Sequence, residues 1–267
     1  ATVCVYCGNA VIMGEQIIDN FSPDYVIPFK VPKNQVMDAF QKFSKKPLTP
    51  KDFSCDRVVD KMQGVYIPFW LYSGNCEGSI TAEGINTRTW TSGNYRYTEK
   101  KYYSVYRNGT LDFKAVPVDA SSKTDDDAMD SIEPFDYSEM TAFNPGYLSG
   151  YLAERYDEDK DKCLPRAKER IENTTRDELR NTCNYNSVNV QSYEKHTEIK
   201  DVKYAMLPTW LLYTTYQDKP YFFAMNGQTG KFIGNLPISK GKLVAYSLLG
   251  GVGGYIIGAI LQIMGIF

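Results

Sequence analysis

Six cysteines and one histidine set the scope for metal and nucleophile chemistry in this 267-residue chain. Only Cys4 and Cys7 have a metal-ligand spacing. Cys4-Val-Tyr-Cys7-Gly8-Asn9 puts two thiolates in a tight turn, one knuckle of a zinc ribbon. Tetrahedral zinc needs four ligands, and no second C-x-x-C or Cys/His pair follows. The expected cofactor is therefore Zn at a half site, with its completing pair upstream of Ala1. A redox dithiol is the rival reading, but that motif follows a strand and opens a helix, whereas Gly8-Asn9 reads as a turn; chance is the third. Cys55, Cys76, Cys163 and Cys183 have no regular spacing and read as structural thiols.

Other candidates for chemistry are sparse. His196 lies in a polar alternating run, without a serine elbow or a cysteine partner in sequence, and reads as a surface residue. Glu133, Asp136 and Glu139 cluster near aromatics, and paired carboxylates can do acid–base work. Asp125-Asp126-Asp127 complements the dipole at a helix start. The loop Asn226-Gly227-Gln228-Thr229-Gly230 lacks the lysine and following helix of a phosphate-binding loop and reads as a hairpin turn. The expectation is a protein that is not an enzyme, with no catalytic residue.

Those residues must be positioned by an ordinary folded body. The formal net charge is -2, which gives no electrostatic footprint for nucleic acid. Tyrosine is plentiful, at 21 residues, and much of it sits in alternating runs, which leans towards β structure. The segment 24–31 reads as a strand and 33–45 as a helix, with Val36, Met37, Phe40 and Phe43 on one face. A short helix is expected over 50–62, then a long β region to about 118 with a hairpin turn at Asn108-Gly109. Residues 145–156 and 159–183 read as helices, the latter charged and solvated, and 187–237 as strands. Tyr204–Leu211 echoes Val65–Leu71, each with a proline two residues before a tryptophan; duplication and coincidence are both open readings. The fold class read from this is α+β: tyrosine-rich antiparallel sheets with covering helices, an N-terminal half zinc ribbon and a C-terminal transmembrane helix. Its parts are a knuckle remnant over 1–20, a body over 21–239 containing two related β units (21–120 and 185–239) joined by a helical segment, and the helix over 243–267.

That last segment carries no charged residue from Leu243 to Phe267. At 1.5 Å per residue it would rise roughly 37 Å, enough to cross the ~30 Å hydrocarbon core of a lipid bilayer. Lys240 and Lys242 precede it, so the body is expected on the cytoplasmic side of the cell membrane. Gly250, Gly254 and Gly258 recur every four residues and would let a second helix approach, in a homo-oligomer or against later spans. The start at Ala1 and the apolar run at Phe267 give the expectation of a segment of something longer.

CVYCGN, DYVIPFKV, GVYIPFWLY, RTWTSGNYRYTEKKYYSVYRNGTLDF, FNPGYLSGYLAERYD and YFFAMNGQTGKFIGNLPISKGK together resemble the bacterial TFIIB-type zinc ribbon-containing membrane proteins over essentially the whole chain. The resemblance implies a cytosolic ribbon, an α+β body and C-terminal transmembrane helices. Relatives stand beside SPFH-domain and phage-shock-like proteins in envelope-stress settings, which implies a membrane-anchored, non-enzymatic adaptor with such a partner. The family's metal site carries over only onto Cys4 and Cys7, because the other zinc pair is missing. The alternatives are a nucleic-acid-binding ribbon protein, disfavoured by charge, and a membrane-associated hydrolase using Glu133, Asp136, Glu139 or His196.

Overall fold

The computed structural model describes residues 22–50, Phe53 and 62–250, together with the backbone of two short strands, β1 (Thr2–Val3) and β2 (Ala10–Val11), which pair antiparallel. Cys4, Cys7, Cys55 and residues 251–267 lie outside the described residues.

The remaining strands form one eight-stranded sheet. They are β3 (Tyr25–Val26), β4 (Gln63–Ser92), β5 (Tyr95–Asp119), β6 (Thr141–Ala142), β7 (Leu152–Ala153), β8 (Ser187–Tyr216), β9 (Lys219–Asn226) and β10 (Phe232–Gly234). Three helices pack on it: α1 (Lys33–Ser44), the single turn-and-a-half α2 (Asp126–Ser131) and α3 (Lys160–Asn181). Asp125 caps α2 by accepting the Ala128 N–H, as the three-aspartate run leads one to expect. Helix α3 buries Cys163, Ala167, Ile171, Thr175 and Leu179, a stripe at four-residue spacing, against β4, β5 and β8.

The long strands β4 and β8 run antiparallel through the centre of the sheet, and Ile67 opposes Leu207. Around that pair the two prolines and tryptophans are placed reciprocally: Tyr66 faces Pro208, Pro68 faces Met206, Trp70 faces Tyr204 and Gly64 faces Trp210. The flanking partners obey the same local two-fold. β7 runs parallel to Val65 and Tyr66, and β3 runs parallel to Ala205 and Met206. Outside them Phe69 pairs with Asp119 of β5, and Thr209 pairs with Asn226 of β9.

Hydrogen bonds repeat across this axis. The Trp70 indole donates to Glu158 O (2.9 Å) and the Trp210 indole to Val31 O (3.0 Å), each two residues before a helix. Ala120 O accepts from Asp157 N and Glu158 N, while Gly227 O accepts from Lys30 N and Val31 N. The molecule is thus two β–α–β–β halves, β3–α1–β4–β5 and β7–α3–β8–β9. Each half lays its leading strand and helix on the other half's hairpin. Helix α1 packs Val36 and Phe40 on Trp210, Leu212, Phe223 and Met225, and α3 packs Cys163 and Ala167 on Tyr72 and Val118.

Several expectations are corrected here. The architecture is mostly sheet rather than α+β, because the stretch read as a helix over 145–156 is a 3-10 turn (Pro145–Leu148) followed by β7, and because single strands run to 30 residues. Asn108-Gly109 is not a turn. Both residues continue in β5, facing Ser79 and Gly78, and the hairpin reverses at Gly93-Asn94, where Gly93 takes φ 59°. The transmembrane helix and membrane localisation are corrected as well: among the described residues no helix is long and apolar enough to cross a membrane. Residues 240–250 are helical, and the rest of that segment, 251–267, lies outside the described residues. The zinc half-ribbon is corrected in the same sense. Among the described residues no group of three or more His, Cys, Asp or Glu could hold a metal ion, and Cys76, Cys163 and Cys183 are free thiols buried apart from one another.

Candidate functional site: a projecting arm with an open edge

The β4–β5 hairpin is far longer than the sheet needs. The pairing of β4 with β8 ends at Ile85–Ser187, yet β4 continues to Ser92, so 86–101 form a two-stranded ribbon without a third strand. Seven residues of strand at about 3.3 Å each carry the tip roughly 23 Å beyond the sheet. A bare hairpin is marginal in water. This one is braced by a stacked Trp90–Tyr97 pair (centroids 5.6 Å apart), by Arg88 over the Trp90 ring and by a Thr89–Thr98 hydroxyl contact.

Its exposed surface is aromatic. Tyr95 is 71% exposed, Tyr106 61%, Tyr102 59%, Tyr97 46% and Trp90 42%. Ordinary burial does not explain that many large rings on one element, and Trp and Tyr are the residue types that dominate protein-binding hot spots. Strand β5 also forms the sheet edge, since among the described residues its one strand partner is β4. The equivalent edge of the other half is covered: β10 pairs antiparallel with Phe223–Met225 of β9.

One face of the arm is held by α3, where Ile80, Ala82 and Val105 pack on Leu179. The opposite face presents acids near the body, namely Glu77, Glu83, Asp112, Glu194 and Glu198, and bases towards the tip, Arg96 and Lys100. His196 lies on this outer face opposite Glu77, lining a shallow hollow of about 390 Å³ with Tyr106, Asn108 and Glu194.

The carboxylates flagged in sequence are not gathered into a catalytic set. Glu133 makes a two-pronged pair with Arg170 (3.0 and 2.8 Å), and burial raises its pKa against the pull of that arginine. Asp136 caps the turn at Tyr137–Glu139 through Ser138. Glu139 pairs with Lys30 and accepts from Gln228 Nε2 (2.6 Å). Hydrogen bonds from Ser138 hold Asp136, and those from Lys30 and Gln228 hold Glu139, below the usual carboxylate range. Lys242 Nζ donates to Thr49 O (2.6 Å), and Lys240 lines a hollow beside Tyr216 and Leu236. No described residue comes within 4 Å of a Cβ built on Gly250, while Gly254 and Gly258 lie outside the described residues.

Sequence reasoning passed over the most perturbed acid. Asp119 is 1% exposed, accepts from Ser121 N (3.1 Å) and Thr124 Oγ1, and burial raises its pKa to about 7, with Asp126 and Glu154 adding to the rise. An open groove of about 1030 Å³ passes nearby, lined by Phe43, Lys123, Thr124, Tyr213, Phe222 and Ile233 among others. Thr124 lines that groove and its hydroxyl donates to the Asp119 carboxyl.

No family model matches the chain, and no solved structure matches it. It is 38% identical over 240 residues to "Uncharacterized protein YdjG" of Bacillus subtilis (strain 168), an alignment covering 89% of this chain and 70% of that protein. On that likeness the chain belongs to the family of Bacillus subtilis YdjG.

Proposed function

We infer that the protein is a non-enzymatic protein-binding scaffold whose docking element is the β4–β5 arm. The observation that carries this reading is the exposure of Trp90, Tyr95, Tyr97, Tyr102 and Tyr106 on one projecting hairpin whose outer strand pairs, among the described residues, with β4 alone. Exposed rings of this kind supply contact area at low entropic cost, and an open strand supplies backbone hydrogen bonds. Outside the arm, Asp125 and Asp136 cap turns of helix and Asp130 and Glu133 pair with Arg170, which supports a structural assignment for them. The SPFH-domain and phage-shock-like proteins suggested by the sequence resemblance are the first partners to test. Affinity capture with the full chain, compared with a Trp90→Ala/Tyr97→Ala variant, checks it. Loss of the partner by at least tenfold at unchanged thermal stability is expected, and undiminished capture would contradict it.

A second reading rests on the tip alone, where Arg88 lies over the ring of Trp90, stacked on Tyr97, and Arg96 and Lys100 stand on the opposite face of the same ribbon. Aromatic platforms with cations suit single-stranded nucleic acid. Steeply salt-dependent binding of an oligonucleotide, abolished by Trp90→Ala, would favour this reading over the first.

A further inference from the structure

We propose that the partner seated on the open β5 edge is a second copy of this chain, paired antiparallel so that two sheets become one. This rests on the arm being a protein-docking element and names what docks there. Among the described residues the edge is open from Tyr95 to Phe113, and it contains no proline before Pro117, a residue that would otherwise block strand addition. Its lower end is closed by Ala115 at φ 53° and by Arg170, which donates to Pro117 O (2.6 Å). The Arg107 guanidinium reaches Tyr106 O (2.8 Å), which puts the backbone groups of the even-numbered residues on the open side.

Charge selects the partner. The outer face is basic at the tip and acidic towards the body, so an antiparallel second copy lays each tip beside the other's acids. Pairing centred on Tyr106 places Lys100 of one copy opposite Asp112 of the other, twice by symmetry. In that register Tyr102 faces Thr110, Ser104 faces Asn108 and Lys101 faces Leu111, and no two like charges oppose each other. Even-numbered residues face even-numbered residues, as the open-side backbone requires. The molecule already shows this kind of pairing at the equivalent edge of its other half, where β10 adds antiparallel to β9.

Light scattering after size exclusion, with the full chain in a non-ionic detergent that keeps the apolar 251–267 run from associating, tests the pairing. The wild type should be a dimer. Lys100→Asp and Asp112→Lys should each weaken dimerisation by about tenfold, since each sets like charges opposite across both symmetric pairs. The double variant Lys100→Asp/Asp112→Lys should restore it. Both residues are exposed, and a thermal melt checks that each variant is folded. A monomeric wild type, or a dimer indifferent to all three variants, overturns the proposal. If the wild type is monomeric while capture of another protein still depends on Trp90 and Tyr97, self-pairing fails and the protein-docking reading stands.

Discussion

Asp119 and Asn226 stand at equivalent corners of the two halves, where each accepts the N–H of the residue two further on, Ser121 and Gln228. Asn226 also donates to Ile132 O and Pro134 O, whereas the second oxygen of Asp119 accepts from Thr124. Asparagine is therefore the form that fits this corner without a charge. The Asp119 pKa is raised from 3.8 to about 7, so its contribution to stability is fully present below about pH 4 and is lost as pH rises through 7. Asp119→Asn should raise the melting temperature at pH 8 and flatten its slope between pH 4 and 7; an unchanged slope would contradict this. None of this was legible in the sequence. Asp119 sits in an ordinary-looking strand end, and its burial depends on Glu154 and the start of α3, some 35 to 45 residues away in the chain. Glu133, Asp136 and Glu139 drew attention by spacing alone, and spacing does not show that Arg170, Ser138 and Lys30 already hold them.

At the scale of elements, helix α1 was legible because it presents an apolar stripe at helical period, whereas the helix over 159–183 reads as charged and solvated and in fact buries Cys163, Ala167, Ile171, Thr175 and Leu179. The Asn108-Gly109 reading failed for a packing reason. Gly78 and Gly109 face each other across β4 and β5 beneath α3, where a Cβ on Gly78 would sit 2.9 Å from Thr175 Cγ2, while one on Gly109 would meet Leu179 Cδ2 at 3.6 Å. Gly78 lets the helix close on the sheet, and Gly109 continues the strand with ordinary space for a Cβ, so neither turns the chain. Gly78→Ala should cost about 1–3 kcal/mol in chemical denaturation, and Gly109→Ala should be near neutral. The tryptophan echo was legible too, but not the exchange it marks, because which hairpin receives which helix depends on pairing over more than 100 residues. Trp70→Phe and Trp210→Phe each remove one indole-to-carbonyl hydrogen bond at the entry of a helix, and each should cost about 1–3 kcal/mol. A loss confined to one of the two would argue against equivalent roles.

Across the whole molecule, two interlocked halves form a rigid base from which one hairpin reaches out. The half containing α3 has its β9 edge covered by β10, and the half containing α1 leaves the longer β5 edge open among the described residues. The alternating tyrosines were visible in the sequence as strand, but their exposure was not. For Trp90, Tyr95 and Tyr97 it arises because β8 ends its pairing at Ser187 while β4 and β5 continue, and for Tyr102 and Tyr106 because they stand on the face away from α3; no local pattern encodes either. The central claim is that this arm docks protein. Site-specific photocrosslinking in cells, with a photoreactive phenylalanine analogue at Tyr95, Tyr102 or Tyr106 and a control at Tyr147 on the body, tests it most directly. The account predicts discrete protein adducts, self or heterologous, from the three arm positions and none from Tyr147. Adducts from Tyr147 alone, or an arm that crosslinks to no protein, would contradict it.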